Sequence, residues 1–295
     1  MYLAYYGFRQ RPFQLTPDPD FFYISPDHLE ALEHLCYGIE SGEGFMLLIG
    51  AIGTGKTTLS RVLAGRLSKK MVFSLVLNPF QDYNQLLKTI LNDLGVYSPH
   101  LQAEQLANDL VYHLVHIVGP AGKTALVIID EAQNLSEETL EKLRVLSNIE
   151  TDKEKLLQFL LLGQEELLEK LARRNLRQLD QRIAIRYFLR PLNCKETGNY
   201  LNHRLQAAKP SSPVTFTRTA IKMIHRFSGG VPRLINMLAN RCLVAGYVNE
   251  TRTIDRMLVK RSISSLRGAH ERKVLGLFNG RSQVFAPPPP FGAEE

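Results

Sequence analysis

The chain has 295 residues, 44% of them hydrophobic and 22% charged, with a net charge of +7. That apolar content supports a packed core and excludes a wholly disordered chain, and the length suits one large domain or two ordinary ones. The mild positive bias is compatible with nucleotide, nucleic acid or lipid headgroups and selects none of them. Cys36, Cys194 and Cys242 stand far apart, without metal-ligand or paired spacing. A zinc site or disulfide framework is therefore not expected, and a reducing compartment fits better. The opening MYLAYYGFRQRPF carries charge early and holds no long apolar run, so no signal peptide is expected. The longest apolar runs, such as 125–129 and 159–162, fall far short of the roughly 20 residues that cross a bilayer. The expectation is a soluble, cytoplasmic chain with no integral membrane segment.

Residues 5–22 come first. They are rich in aromatics and prolines (Pro12, Pro17, Pro19) and read as an irregular packed arm. Ser25 and Pro26 then open a helix as N-cap and first-turn residue, and Leu29, Leu32, Leu35, Cys36 and Ile39 recur at helical spacing. Gly42 and Gly44 close it. Residues 45–49 are a short apolar run bounded by glycine, which reads as a buried strand. A glycine-rich loop over 50–55 leads into a helix over 56–67. Further strands are expected over 71–77, 125–129 and 156–162, and further helices over 84–94, 103–118 and 137–147. Strands alternating with helices, apolar on both faces, predict an α/β fold with a parallel sheet covered on both sides. After Pro191 the strand signal largely stops. Helices over 195–206, 217–227 and 234–250, with breakers at 209–213 and 228–230, predict a small helical lid, followed by a basic helix over 253–266. The four prolines at 287–290 mark a tail expected to be disordered. The expected division is an arm with the first helix (1–44), a phosphate-loop core (45–191), a lid with the basic helix (192–266) and a basic, proline-rich tail (267–295).

Gly50-Ala51-Ile52-Gly53-Thr54-Gly55-Lys56-Thr57 fits GxxxxGK[ST] between a predicted strand and a predicted helix. Glycines let the backbone curl so that several N–H groups point at a phosphate, Lys56 reaches the outer phosphates, and the Thr57 hydroxyl is placed for Mg²⁺. Thr58 continues into the helix, whose positive end adds to the attraction. Residues 126–131, LVIIDE, end a strand on two carboxylates at the sheet edge where open α/β folds bind ligands. Asp130 is expected to hold Mg²⁺ through water and Glu131 to polarise an attacking water; the bland alternative is a solvated acidic turn. Two adjacent carboxylates favour hydrolysis over transfer to another substrate. Gln164 ends the neighbouring strand and is placed to orient the water. Arg174, Arg177, Arg182 and Arg186 stud the segment NLRQLDQRIAIR; they form either a solvated face or an arginine finger reaching a neighbouring subunit's ATP. Arg233, after two glycines, is placed to touch the γ-phosphate from the lid. Tyr5, Phe8 and Pro12 are the candidates for the adenine pocket, and the histidines, His28 included, read as structural.

The segments YGFRQRPFQLTPDPDFFYISPDHLEAL, GAIGTGKTTL, LVIIDEAQNL, LLLGQEEL, LRQLDQRIAIRYFLRPL and GGVPRLINMLANRCLVAGY span about 6–247. Together they resemble the AAA+ ATPases of the general secretion pathway protein A group. The single loops are shared by many ATPases, whereas the arm, DEAQNL, GQ and GGVPRLIN in combination are far more specific. The resemblance implies an AAA+ P-loop fold and ATP hydrolysis in a ring or other oligomer. It matches Gln164 to the first sensor, Arg233 to the second, and Arg182 to the finger, with Arg177 and Arg186 as alternatives. Secretion members carry a membrane-crossing helix and a peptidoglycan-binding domain after the lid. Here a basic segment and a proline tail follow, a layout closer to short members found with mannose-sensitive haemagglutinin (MSHA)-type pilus genes. The implied role is support of type IV pilus or type II secretion assembly, in the cytoplasm or peripheral at the inner face of the membrane. The alternative is a transposition-type ATPase that forms ATP-dependent oligomers on DNA. A third reading, a nucleotide switch that barely hydrolyses, crosses both.

Overall fold

The computed structural model describes residues 1–15, 21–77, 82–96, 105–150 and 155–276, with side chains as far as Leu266. A short helix, α1 (Tyr2–Tyr6), leads through the arm to α2 (Pro26–Glu40). The Ser25 hydroxyl caps α2 by accepting the His28 N–H, and Pro26 occupies the first turn. Five strands follow: β1 (Phe45–Gly50), β2 (Met71–Val76), β3 (Thr124–Ile129), β4 (Leu157–Gly163) and β5 (Ile183–Leu189). They form one sheet in the order β2-β3-β4-β1-β5, and every pair is parallel. The connections carry α3 (Lys56–Leu67), α4 (Tyr83–Asp93), α5 (Leu106–His113), α6 (Glu137–Leu146), α7 (Glu165–Leu171) and α8 (Arg177–Asp180).

β1 explains the layering. Successive strand side chains point to opposite faces. Phe45, Leu47 and Ile49 enter a core with Leu87, Leu110 and Leu143, while Met46 and Leu48 enter a second core with Leu32, Leu35 and Leu63. An all-apolar strand therefore demands cover on both sides. β5 departs from expectation, since no strand was predicted there. It is the sheet's edge. Ile183 and Leu189 are buried, while Ala184, Arg186 and Phe188 are exposed, so its apolar signal is diluted by the open face.

The lid consists of α9 (Cys194–Ala207), β6 (Thr215–Phe216), α10 (Arg218–Ser228), α11 (Pro232–Val248), β7 (Thr253–Ile254) and α12 (Arg256–Gly276). Asn193 and Glu196 form a reciprocal capping box at the start of α9. α12 continues ten residues past Leu266 into the segment expected to be disordered, and 277–295 lie outside the described residues.

The arm packs with the lid, 200 residues away in sequence, whereas α2 packs on the sheet. Tyr6, Phe8, Phe13 and Phe21 join Leu201, Phe216, Ile235 and Leu243 in one core. The Tyr6 hydroxyl lies 3.1 Å from the carbonyls of Leu243 and Thr251. A Cβ on Gly246 would stand 2.4 Å from that hydroxyl, so a glycine is required for the approach. Arg204 is only 6% exposed and clasps the arm. It donates to the carbonyls of Pro12 (2.6 Å), Gln14 (3.0 Å) and Phe21 (3.3 Å) and stacks over the Phe21 ring. The adenine-pocket candidates are thereby corrected, since none of the three lines the cavity beside the phosphate loop. Tyr5 packs on Tyr247 and under Arg252, Phe8 is buried beside Tyr6, and Pro12 serves Arg204. Among the described residues no helix is long and apolar enough to cross a membrane.

Candidate active site

The phosphate loop leaves the C-terminal end of β1 and runs into α3, whose first residue is Lys56. Gly53 has φ +82° and Gly55 φ +107°, conformations that residues with a Cβ resist. A Cβ on Gly53 would also lie 2.5 Å from Arg233 Cβ, and Arg233 N–H donates to Gly53 O at 3.3 Å. The first turn of α11 therefore rests directly on the loop. Between them opens a cavity of about 390 Å³ lined by residues 52–58, Glu131 and Arg233, with arm residues 14, 15 and 21–23 as a wall. Gly50 and Ala51 lie behind it and present their carbonyls to Lys56 Nζ at 2.7 and 3.2 Å. Burial pushes the Lys56 ammonium below the usual lysine pKa, opposed by the charges of Glu131, Asp130 and Glu166.

Asp130 and Glu131 follow β3. The Thr57 hydroxyl donates to Asp130 Oδ2, and Glu131 N–H donates to Asp130 Oδ1 at 2.9 Å. Glu131 itself has φ +52°, an uncommon conformation for a residue with a side chain. Its Oε2 accepts two amides, Gln133 Nε2 at 2.6 Å and Gln164 Nε2 at 2.8 Å. Gln164 follows β4, which pairs with β3, so the expected juxtaposition of strand ends brings it onto the carboxylate. Gln133 was not singled out from sequence; the signal available was an amide two residues after a carboxylate. Lys170 Nζ pins that loop by donating to the carbonyls of Gln133 and Leu135.

A family profile described as "AAA domain" matches residues 39–171. General secretion pathway protein A of Aeromonas hydrophila is 41% identical over 271 residues, covering 90% of this chain and 49% of the relative. Over 90% of its length the chain is a relative of general secretion pathway protein A, and its residues 39–171 match an AAA domain. It spans about half the length of that relative. Among solved structures it is similar to Cdc6p of Pyrobaculum aerophilum (TM-score 0.68, 19% identity, covering 85% of this chain and 71% of that one). It is also similar to the Aeropyrum pernix ORC1 protein in complex with DNA (TM-score 0.66, 16% identity, 91% and 72%). These likenesses establish the AAA+ fold.

In this AAA domain the loop and strand ends also fit a magnesium nucleotide. A hydroxyl paired with a carboxylate beside the phosphate loop is a donor set suited to a hard divalent cation. Among the described residues no cluster of three His, Cys, Asp or Glu could hold a metal unaided. Such a site would share its ion with phosphate oxygens, as magnesium sites commonly do.

Arg182 lies at the opposite end of the sheet. It precedes β5, whose Ile183 pairs with Phe45 and whose Leu189 pairs with Gly50. Seven strand residues span about 20 Å, so Arg182 is remote from its own phosphate loop. Its guanidinium donates to Asn148 Oδ1 at 2.5 Å and to Ser147 Oγ at 3.3 Å. Arg186 pairs with Asp180 at 3.0 Å. Arg177 is exposed and has no side-chain partner among the described residues.

His28 is a residue the sequence reading set aside. It is 3% exposed and lines the cavity. Its Nδ1 is 2.6 Å from Ser25 Oγ, its Nε2 is 3.1 Å from Thr54 O, and its ring meets Phe22 edge-on. Burial holds its pKa below the ordinary histidine value.

Proposed function

We propose that this chain binds ATP with Mg²⁺ and hydrolyses it to ADP and phosphate within an oligomer. On this reading it supports assembly of an MSHA-like type IV pilus or of type II secretion machinery from the cytoplasmic side of the membrane. The observation that carries the hydrolytic reading is the Glu131 carboxylate. Two amides hold one of its oxygens, and the other accepts no hydrogen bond among the described residues. That oxygen is the one to take a proton from the attacking water. Lys56 exchanges the Gly50 and Ala51 carbonyls for the outer phosphates. Arg233, seated on Gly53, contacts the γ-phosphate from the lid and so couples lid position to nucleotide state. A Mg²⁺ ion, when bound, would neutralise phosphate charge, with Thr57 and Asp130 holding it. Arg182 or the unpaired Arg177 would act on a second copy's nucleotide. The assembly role draws support from the 41% identity across 90% of this chain.

The test is ATPase rate against protein concentration, with Lys56→Ala and Glu131→Gln as comparisons. Lys56→Ala is expected to lose nucleotide binding. Glu131→Gln is expected to bind but turn over about a hundredfold more slowly, and Arg182→Ala to bind normally while losing concentration-dependent turnover. Normal ATP affinity in Lys56→Ala refutes the phosphate-loop reading, and wild-type turnover independent of concentration refutes the finger. One observation favours DNA as an alternative client. Over 192–266 twelve Lys and Arg face three Asp and Glu, and Arg218, Lys222 and Arg226 form an exposed stripe on α10. Stimulation by duplex DNA that fades with salt would select that client.

A further inference from the structure

We propose that His28 is a positioning residue for nucleotide binding: through the Thr54 carbonyl it sets the direction of the Gly55 N–H, a phosphate donor of the loop. The proposal rests on the nucleotide-site reading above and adds to it a residue outside the loop itself.

The hydrogen-bond network assigns the histidine tautomer. Thr54 O can only accept, so the Nε2 that lies 3.1 Å from it carries the proton. In the neutral ring Nδ1 is then an acceptor, and the Ser25 hydroxyl at 2.6 Å donates to it. The same Ser25 oxygen accepts the His28 backbone N–H at 3.2 Å. Each donor meets one acceptor. The ring is thus fixed at both nitrogens, buried, and braced edge-on by Phe22.

The consequence lies one atom group further on. The peptide joining Thr54 to Gly55 is planar and trans, as are all peptides among the described residues, so its C=O and N–H point in opposite directions. Fixing Thr54 O on His28 therefore fixes the Gly55 N–H as well. Among the described residues that N–H donates to no acceptor in the chain. It sits at the entry to α3, where the helix end and the loop present donors to an anion. Gly55 also needs the space. A Cβ there would come 3.0 Å from His28 Nε2. A hydrogen bond at the carbonyl end of a peptide further polarises its N–H, so His28 both aims and strengthens the donor. Because phosphates already in the ground state meet this donor, its loss should weaken binding more than turnover.

The isosteric pair Gln and Asn separates this role from mere packing. A glutamine amide nitrogen falls near the position of Nε2 and can still donate to Thr54 O. An asparagine amide falls near Nδ1 and reaches only Ser25. ADP is titrated calorimetrically into wild type, His28→Gln, His28→Asn, His28→Ala and Lys56→Ala, with melting curves without nucleotide to verify folding. The expected result is affinity within about threefold of wild type for Gln, and roughly tenfold weaker for Asn and Ala. At saturating ATP the Asn variant should keep kcat within about twofold while its KM rises in step with the ADP affinity. Equal affinities of the Gln and Asn variants, whether both tight or both weak, overturn the proposal. So does a fall in kcat at unchanged KM. If Lys56→Ala fails to bind while every His28 variant matches wild type, this proposal alone falls. If Lys56→Ala binds like wild type, the site reading falls and takes the proposal with it. Should the Ala variant not fold, the Gln and Asn pair still decides.

Discussion

Replacing Arg204 with leucine tests how the arm is held. The side chain is 6% exposed and donates to three backbone carbonyls of the arm, at Pro12, Gln14 and Phe21. Leucine fills much of the volume and supplies no donor. Each buried acceptor left unpaired costs about 1 kcal/mol or more, and the stacking over Phe21 adds about 0.5–1 kcal/mol. The sum is about 3–5 kcal/mol. Urea unfolding should register that loss, and the melting temperature should fall by roughly 10 °C. Trypsin should cleave faster after the exposed Arg9 as the arm loosens. Nucleotide affinity should fall too, because arm residues 14, 15 and 21–23 line the cavity. Lysine at 204 can satisfy fewer carbonyls and should recover only part of the stability. A loss below about 1 kcal/mol in the leucine variant, with the arm still protected, would refute the clasp.

Gly53→Ala should separate the lid from the phosphate loop, since its Cβ would meet Arg233 Cβ at 2.5 Å at φ +82°. The strain costs about 1–2 kcal/mol, and ADP affinity should drop roughly tenfold or more; unchanged affinity in calorimetry counts against the contact. Cys242 is fully buried and burial pushes its thiol up to about 11, so in native protein at pH 8 a thiol reagent should label Cys36 and Cys194 and reach Cys242 only after urea is added. Three equal native rates would contradict this. Burial holds His28, His113 and His203 below the ordinary value of 6.5, so on acidification the unfolded chain takes up protons before the folded one. Stability should therefore be full above about pH 7 and decline as pH falls through that ordinary value, with a shallower decline in His28→Gln. A flat stability profile between about pH 7.5 and 5.5 would oppose it.

The sheet core was legible because its strands are short, largely apolar and punctuated by glycine, and because the phosphate loop must sit between strand and helix. Gln164 was legible for the same reason: once two strands are neighbours, their last residues are neighbours. β5 was not, because an edge strand buries one face and lets Arg186 stand on the other. The arm was read as packed, but its partner was hidden. Tyr6 meets Leu243 237 residues later, and no local periodicity encodes such a pairing. His28 and Gln133 were missed for a related reason. Locally each is an ordinary helix or turn residue, and only the tertiary approach of Thr54 and of Glu131 gives it a task.

The distance in sequence between arm and lid also orders events during synthesis. At about 5–20 residues per second, the ribosome needs roughly 10–50 s after adding Tyr6 to reach Leu243. Over that interval Tyr6, Phe8 and Phe13 have no lid to enter, although the sheet can close around β1 and β4. The aromatic arm is thus a temporarily unsheltered, sticky segment, open to capture by a chaperone or to mispairing with another nascent chain. Because the same arm walls the cavity, completion of the nucleotide site is among the last steps of maturation. A chain stalled before α11 can own an intact phosphate loop and still lack a finished pocket.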